Sequence, residues 1–135
     1  MSYKIEQIEG VGPVYAEKLM AVGILTTDDL LAKCATATGR QYIATMTGLS
    51  EHLLLTWTNQ ADLMRVSGIG SEFGQLLESS GVDTVKELAQ RNPENLVHVM
   101  ERINEEKKLT RVVPALKTVE KWVDHAKSLE PMLTH

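Results

Sequence analysis

The sequence predicts an all-α fold, and three observations carry that prediction. Apolar residues recur at three- and four-residue steps in three stretches: Leu54, Trp57, Ala61 and Met64; Leu96, Val99, Met100 and Ile103; Leu116, Val119, Val123 and Ala126. Each set marks one face of an amphipathic helix, and no alternating run suggests a strand. One pattern is written twice, as IEGVGPVYAEKLMAVGI (Ile8–Ile24) and VSGIGSEFGQLLESSGV (Val66–Val82), with Gly10/Gly68, Gly12/Gly70 and Gly23/Gly81 all at an offset of 58. Helix start and stop signals flank these stretches throughout.

Taken in order, each Gly-hydrophobe-Gly turn opens a helix that closes at Gly23 or Gly81, where a left-handed residue suits a helix end. Thr26 with Asp29, and Thr84 with Glu87, start the next helices. The second pair reads as a true capping box, whereas Asp29 is a shorter imitation of one. Ser50 caps the helix carrying Trp57, Asn92-Pro93 supplies an N-cap with Pro at the first helical position, and Pro114 is expected to open the last long helix. The offset of 58 also pairs Leu30 with Leu88, Ala61 with Val119 and Met64 with Trp122. Each unit then reads as hairpin, short helix, medium helix, long helix, giving about eight to ten short helices in all. Ala61–Arg65 runs straight into the second turn, so no flexible linker is expected. The chain reads as a single domain, 1–135, built of repeats at about 1–65 and 60–130 and related by an approximate twofold or screw; two copies are too few for a solenoid.

Composition narrows the function classes. A chain of 135 residues, 43% hydrophobic but only 4% aromatic, builds its core from Leu, Val, Ile, Ala and Met. The N-terminus MSYKIEQ has an acidic residue and no apolar run, unlike a signal peptide, and no segment is long enough to span a bilayer, so a cytoplasmic protein without membrane contact is expected. Cys34 is the only cysteine, which excludes an intrachain disulfide. The net charge is −4, with five Lys/Arg against seven Asp/Glu in residues 1–65 and nine against eleven in 66–135. Neither half is a basic arm of the kind nucleic-acid binders display, although folding can gather scattered charge into a patch.

The doubled turn has a physical logic. Gly10 and Gly68 let the chain leave a helix with positive φ. Val11 and Ile69 plug the apolar gap, and Gly12 and Gly70 admit another backbone or a ligand. Ala16 and Gly74 are small where helices cross, and Leu19 and Leu77 close the core. This pattern resembles the helix-hairpin-helix in both places. The resemblance implies a tandem helix-hairpin-helix, all-α fold, its repeats fused into one compact helical domain. It also implies turn amides that hold a nucleic-acid phosphate and fix position without reading bases. The candidate ligands are then Gly10, Val11, Gly12 and Val14 with Lys18 assisting, and Gly68, Ile69, Gly70 and Ser71 with Arg65 assisting. The chain departs from that pattern at the mouth of each turn. Where a basic residue often follows, it carries Val14 and Glu72. A carboxylate ~4 Å from a phosphate at an effective dielectric near 20 opposes binding by about 4 kcal/mol before screening. Hairpin 1 is therefore the better anion site, and hairpin 2 reads as structural.

The stretches IEGVGPVYAEKL, TTDDLL, TWTNQADLMRVSGIG, SGVDTVKELAQRNPENL, NEEKKLTRVVPAL, VEKWVDHAK and LEPMLTH resemble the uncharacterised bacterial family termed domain of unknown function 4332, over nearly the whole chain. The hairpins are also similar to N-terminal segments of RecA-like recombinases and of DNA polymerase beta. That likeness bears on fold more than on function.

The remaining chemistry reads as bland. His52, His98, His125 and His135 lack metal-ligand spacing, so no metal and no cofactor is expected. Cys34 has no base partner and reads as a small buried residue, and Asp28-Asp29 as capping residues. Trp57 and Trp122 read as core, Tyr15 and Phe73 as equivalent packing residues, and Tyr42 falls in an apolar pattern. Lys107, Lys108, Arg111 and Lys117 form the densest basic cluster, a secondary candidate surface whose simpler reading is solvated charge. No nucleophile–base pair or P-loop is present, and the chain is not expected to be an enzyme. The leading expectation is an accessory protein that touches the DNA or RNA backbone through hairpin 1. The alternative is a protein–protein adapter or homo-oligomer with structural hairpins. A positive surface around Gly10–Lys18 favours nucleic acid, and an acidic or apolar one favours a protein partner.

Overall fold

The computed structural model describes residues 2–135, so Met1 of the expected 1–135 domain lies outside it. Among the described residues it is all-helical, with a 3-10 turn at Ile5–Gln7 and eight α-helices. These are α1 (Pro13–Met20), α2 (Thr27–Cys34), α3 (Ala37–Thr47), α4 (Glu51–Leu63), α5 (Ser71–Ser79), α6 (Val85–Ala89), α7 (Pro93–Lys107) and α8 (Leu116–Ser128). Among the described residues the only β-type pairing is one antiparallel bridge, Lys4 to Thr26.

The helix starts follow the cap residues, with two corrections. Thr26 and Asp29 form the complete capping box: the Thr26 hydroxyl accepts from the Asp29 amide and Asp29 accepts from the Thr26 amide. Asp29 Oδ2 also accepts from Leu25 N at 3.0 Å. Thr84, expected to be the fuller box, accepts only a longer bond of 3.3 Å from the Glu87 amide. The last helix begins at Leu116, not at Pro114. Pro114 is buried in the preceding loop, which Asn104 closes by bonding both the amide and the carbonyl of Thr110 at 3.0 Å. Leu116, placed on the buried face by periodicity, is exposed as the first helical residue, and Tyr42 is likewise exposed.

Two apolar clusters hold the helices together. The first gathers Ile5, Ile8, Leu19, Leu30, Leu54 and Trp57, and the second gathers Leu63, Val66, Leu77, Leu88, Trp122 and Val123, all nearly inaccessible. Helix α2 packs on α4 in the first, and α6 on α8 in the second. The correspondence between halves changes register along the chain. Helices α1 and α5, and α2 and α6, start 58 residues apart, but α4 and α8, each 13 residues, start 65 apart. Tyr15 meets Trp57 edge-on at 5.2 Å and Phe73 meets Trp122 at 5.3 Å, so Trp57 and Trp122 are the true equivalents. The pairings of Ala61 with Val119 and Met64 with Trp122 are therefore displaced. The seven extra residues come to about two helical turns, which leaves the apolar face in phase and hides the shift from periodicity.

Buried polar groups join the halves. Gln60 Nε2 donates to the Gly74 carbonyl at 3.1 Å and to Glu78 Oε2 at 2.8 Å. Asp62 accepts from Val85 N at 2.8 Å and from Arg65 Nη1 at 2.9 Å, the latter being the one ion pair among the described residues. The segment after α8 returns to the first half. Arg40, buried without a carboxylate partner, donates to the Cys34 and Ala35 carbonyls at the end of α2 and to the Thr134 carbonyl at 2.7 Å. The negative end of the α2 dipole stands in for the missing anion.

Candidate functional site

The two glycine turns are superposable in their bonding. Gly10 and Gly68 have φ of 91° and 93°. Val11 N donates to the Ile8 carbonyl and Ile69 N to the Val66 carbonyl, each at 3.1 Å, and both plug side chains are buried. A Cβ at Gly10 would stand 3.4 Å from Trp57 Nε1, and one at Gly68 would stand 3.1 Å from Trp122 Nε1. The first glycine of each turn is thus required both by its backbone conformation and by the indole lying against it. Gly12 and Gly70 are the N-caps of α1 and α5, without side-chain caps, and a Cβ at either would meet open space. The following amides, Val14 and Tyr15 in one copy and Glu72 and Phe73 in the other, have no acceptor among the described residues. Unpartnered amides at a helix N-terminus favour an anion on electrostatic grounds.

The surroundings of the two mouths differ. Turn 1 is open, with Gly12, Pro13 and Val14 all exposed, Val14 to 66%. Beside it runs a groove of about 360 Å³ lined by Val11, Pro13, Ala16 and Met20, with Glu6 and Glu17 on its rim. Residues 5–17 carry Glu6, Glu9 and Glu17 and no Lys or Arg. Lys18, expected to assist at the mouth, sits in the last turn of α1. That places it about 7 Å along the axis from Pro13, given a 1.5 Å rise per residue.

Turn 2 is touched by distant side chains, though not at its Glu72 and Phe73 amides. Gly70 and Ser71 are half-buried, and the Tyr3 hydroxyl reaches the Ile69 carbonyl at 3.4 Å. Ser67 N donates to His125 Nδ1 at 3.1 Å. Arg65, expected as the assisting cation, is committed elsewhere: Nη1 to Asp62 and Nη2 to the Glu130 carbonyl at 2.9 Å. Glu72 is exposed in the first turn of α5.

The secondary basic cluster is fully on the surface. Lys107, Lys108, Arg111 and Lys117 are exposed and lack ion pairs among the described residues. Val112 stands among them at 68% exposure and Leu116 at 38%. Lys108 ends α7 in the left-handed conformation, at φ 52°.

Burial pushes the Cys34 thiol up to about 11, so it is protonated near neutrality and shielded at the end of α2. The backbone amide of Leu25, followed by the bonds from Thr26, holds the Asp29 carboxyl below its usual value. No group of three or more His, Cys, Asp or Glu gathers among the described residues. No helix there is long and apolar enough to cross a membrane.

Sequence reasoning missed the groove beside turn 1. The signal was there: Pro13, Ala16 and Met20 share one face of α1 at three- and four-residue steps, with Glu6, Glu9 and Glu17 nearby against one base, Lys18. It also missed a cleft of about 410 Å³ between Asp62, Thr84, Lys86 and the final segment Pro131–His135. No local pattern announces a cleft made when the chain end folds back.

No curated protein and no solved structure matches the chain. The family described as domain of unknown function (DUF4332) matches residues 9–129, and the protein belongs to it.

Proposed function

We propose that this protein is a non-enzymatic binding module whose working face is the first glycine turn and its groove, and that its ligand is a protein segment combining apolar and basic residues. The two turns are read as a tandem helix-hairpin-helix in which the first copy, the one beside the groove, binds. The observation that carries this is the acidic rim on an apolar groove: Glu6 and Glu17 flank Val11, Pro13 and Met20. Apolar area there contributes roughly 25 cal/mol per Å² when covered. The carboxylates steer and select a cationic partner while opposing a polyanion.

The test is a photocrosslinker placed at Val14 in native cells, beside the same protein carrying Glu6→Lys and Glu17→Lys. Discrete protein adducts that survive nuclease and disappear on charge reversal are expected. Adducts that vanish with nuclease, or that ignore the reversal, would overturn the reading.

A second reading rests on the unpartnered Val14 and Tyr15 amides at an uncapped helix start. Those groups suit one backbone phosphate, which would make the contact a sequence-independent one with DNA or RNA. Titration with duplex and single-stranded DNA at two salt concentrations tests it. Affinity that falls steeply with salt, and that rises with Glu6→Lys and Glu17→Lys, supports it. Absence of binding at low salt removes it.

A further inference from the structure

The surface that best complements the groove lies on the opposite half of the same chain. Residues 107–119 contain Lys107, Lys108, Arg111 and Lys117 and no Asp or Glu. Residues 6–20, which line the groove, contain three Glu and a single basic residue, Lys18. Each charged run surrounds exposed apolar side chains. Val112 and Leu116 stand in the basic run, while Val14 and Met20 flank or line the groove, at 66% and 43% exposure. The basic loop is also pre-shaped, because Asn104 clamps Thr110 and the Thr110 hydroxyl donates to the Val112 carbonyl at 2.8 Å. A preformed loop loses little freedom on docking. The contacts that seat each surface are made within its own half: Tyr15 on Trp57 for α1, and Asn104 on Thr110 for the loop.

We infer that the protein associates head to tail with itself, the loop at 107–117 of one copy docking its Val112 and Leu116 into the Glu6/Glu17 groove of the next. This deepens the reading of the groove as a protein-binding site and rests on it. Because the two surfaces are different, the contact is heterologous. Each copy keeps one free groove and one free loop, so association continues past a dimer unless a ring closes.

Sedimentation velocity over a micromolar to millimolar range, at low and high salt, is the first experiment. Species beyond the dimer that grow with concentration and shrink with salt are expected. Two variants then separate the surfaces: Glu6→Lys with Glu17→Lys for the groove, and Lys107→Glu with Arg111→Glu for the loop. Each alone is expected to weaken self-association by about tenfold or more. Mixed together, they are expected to regain association past the dimer, since the intact loop of one fits the intact groove of the other and the reversed groove and reversed loop are again opposite in charge. Circular dichroism checks folding, and Glu6→Gln with Glu17→Gln, or Arg111→Gln, replaces any variant that fails it.

A wild-type monomer at every concentration, a dimer that survives either variant, or an unmixed pair of monomers would overturn the proposal. So would duplex DNA retention that the loop variant abolishes without any change in mass, which would assign the basic run to nucleic acid. Val14 crosslinks to a partner of another mass, with wild-type protein monomeric, would leave the groove reading standing and remove only self-association.

Discussion

The two halves share a backbone plan and differ in what that plan leaves free. In the first half, the amide that starts α2, Thr27 N, donates to the Tyr3 carbonyl at 2.8 Å. In the second, the matching amide, Val85 N, donates to the buried carboxylate of Asp62 at 2.8 Å. Backbone closes one junction and an ion-paired side chain closes the other. A further polar contact marks the second crossing, where a Cβ at Gly74 would come 2.5 Å from Gln60 Oε1. The second copy is thus built into the molecule by polar bonds across the halves. The first stands beside an open groove instead, so the two copies of the motif offer different surfaces.

The largest expected break in that symmetry is Asp62→Ala. It strands Arg65 and the Val85 amide, both in partly or fully buried positions, and is expected to destabilise by about 3 kcal/mol. Lys4→Ala, at the equivalent but exposed position, is expected to change stability by less than about 0.5 kcal/mol. Urea unfolding of both variants measures the difference; similar values would show that Asp62 does not carry the junction.

Next come the turn glycines. Gly10→Ala and Gly68→Ala each impose a left-handed backbone on a residue with a Cβ, which is expected to destabilise by about 1–2 kcal/mol. Gly68→Ala is expected to be the worse of the two, because Trp122 stands closer than Trp57 does. The reverse order in thermal melts would mean that the indoles move aside freely.

The capping threonines give a smaller contrast. Thr26→Ala is expected to destabilise by about 1 kcal/mol, and Thr84→Ala by about half that, given its longer bond. The Asp29 half of the first box also depends on pH. Its carboxyl is held below the ordinary value of 3.8, so its contribution is present above that value and is lost as pH falls below it. In denaturation at pH 7 and pH 3, the cost of Asp29→Ala is expected to shrink at the lower pH; a constant cost would contradict this account.

The smallest expected effect is that of Gly74→Ala. Alanine gains about 1 kcal/mol of helix propensity over glycine. Displacing Gln60 from the Gly74 carbonyl and Glu78 loses a similar amount, so the net change is expected to lie within about 0.5 kcal/mol of zero. A clear stabilisation in equilibrium unfolding would show that Gln60 contributes nothing to joining the halves.

Much of the local structure was legible because its causes are local. Positive φ at Gly10, Gly23, Gly68 and Gly81, the caps at Thr26, Ser50, Thr84 and Asn92, and burial of both tryptophans follow from neighbours within a turn or two. Periodicity failed where an apolar residue at the right step had no helix opposite it. Tyr42, at 64% exposure, and Leu116 are the cases. It failed again where a seven-residue insertion kept helical phase, so that Met64 passed for the partner of Trp122. The candidate ligands were legible as a list but not as a site. Arg65 is spent on Asp62 and Glu130, and Lys18 lies at the far end of α1, because a side chain's partner depends on what folding brings to it.

By itself, the sequence determined the all-helical class, the twofold recurrence of the turn, and the glycines that the turn requires. Each of these depends on backbone conformation and on residues a few positions apart. Only the tertiary structure decided that Tyr3 bonds the Ile69 carbonyl and His125 the Ser67 amide beside the second turn, while the first stands beside an apolar groove with acidic neighbours. Those contacts join residues 58 or more positions apart, and no local pattern encodes which distant side chain arrives at a given mouth.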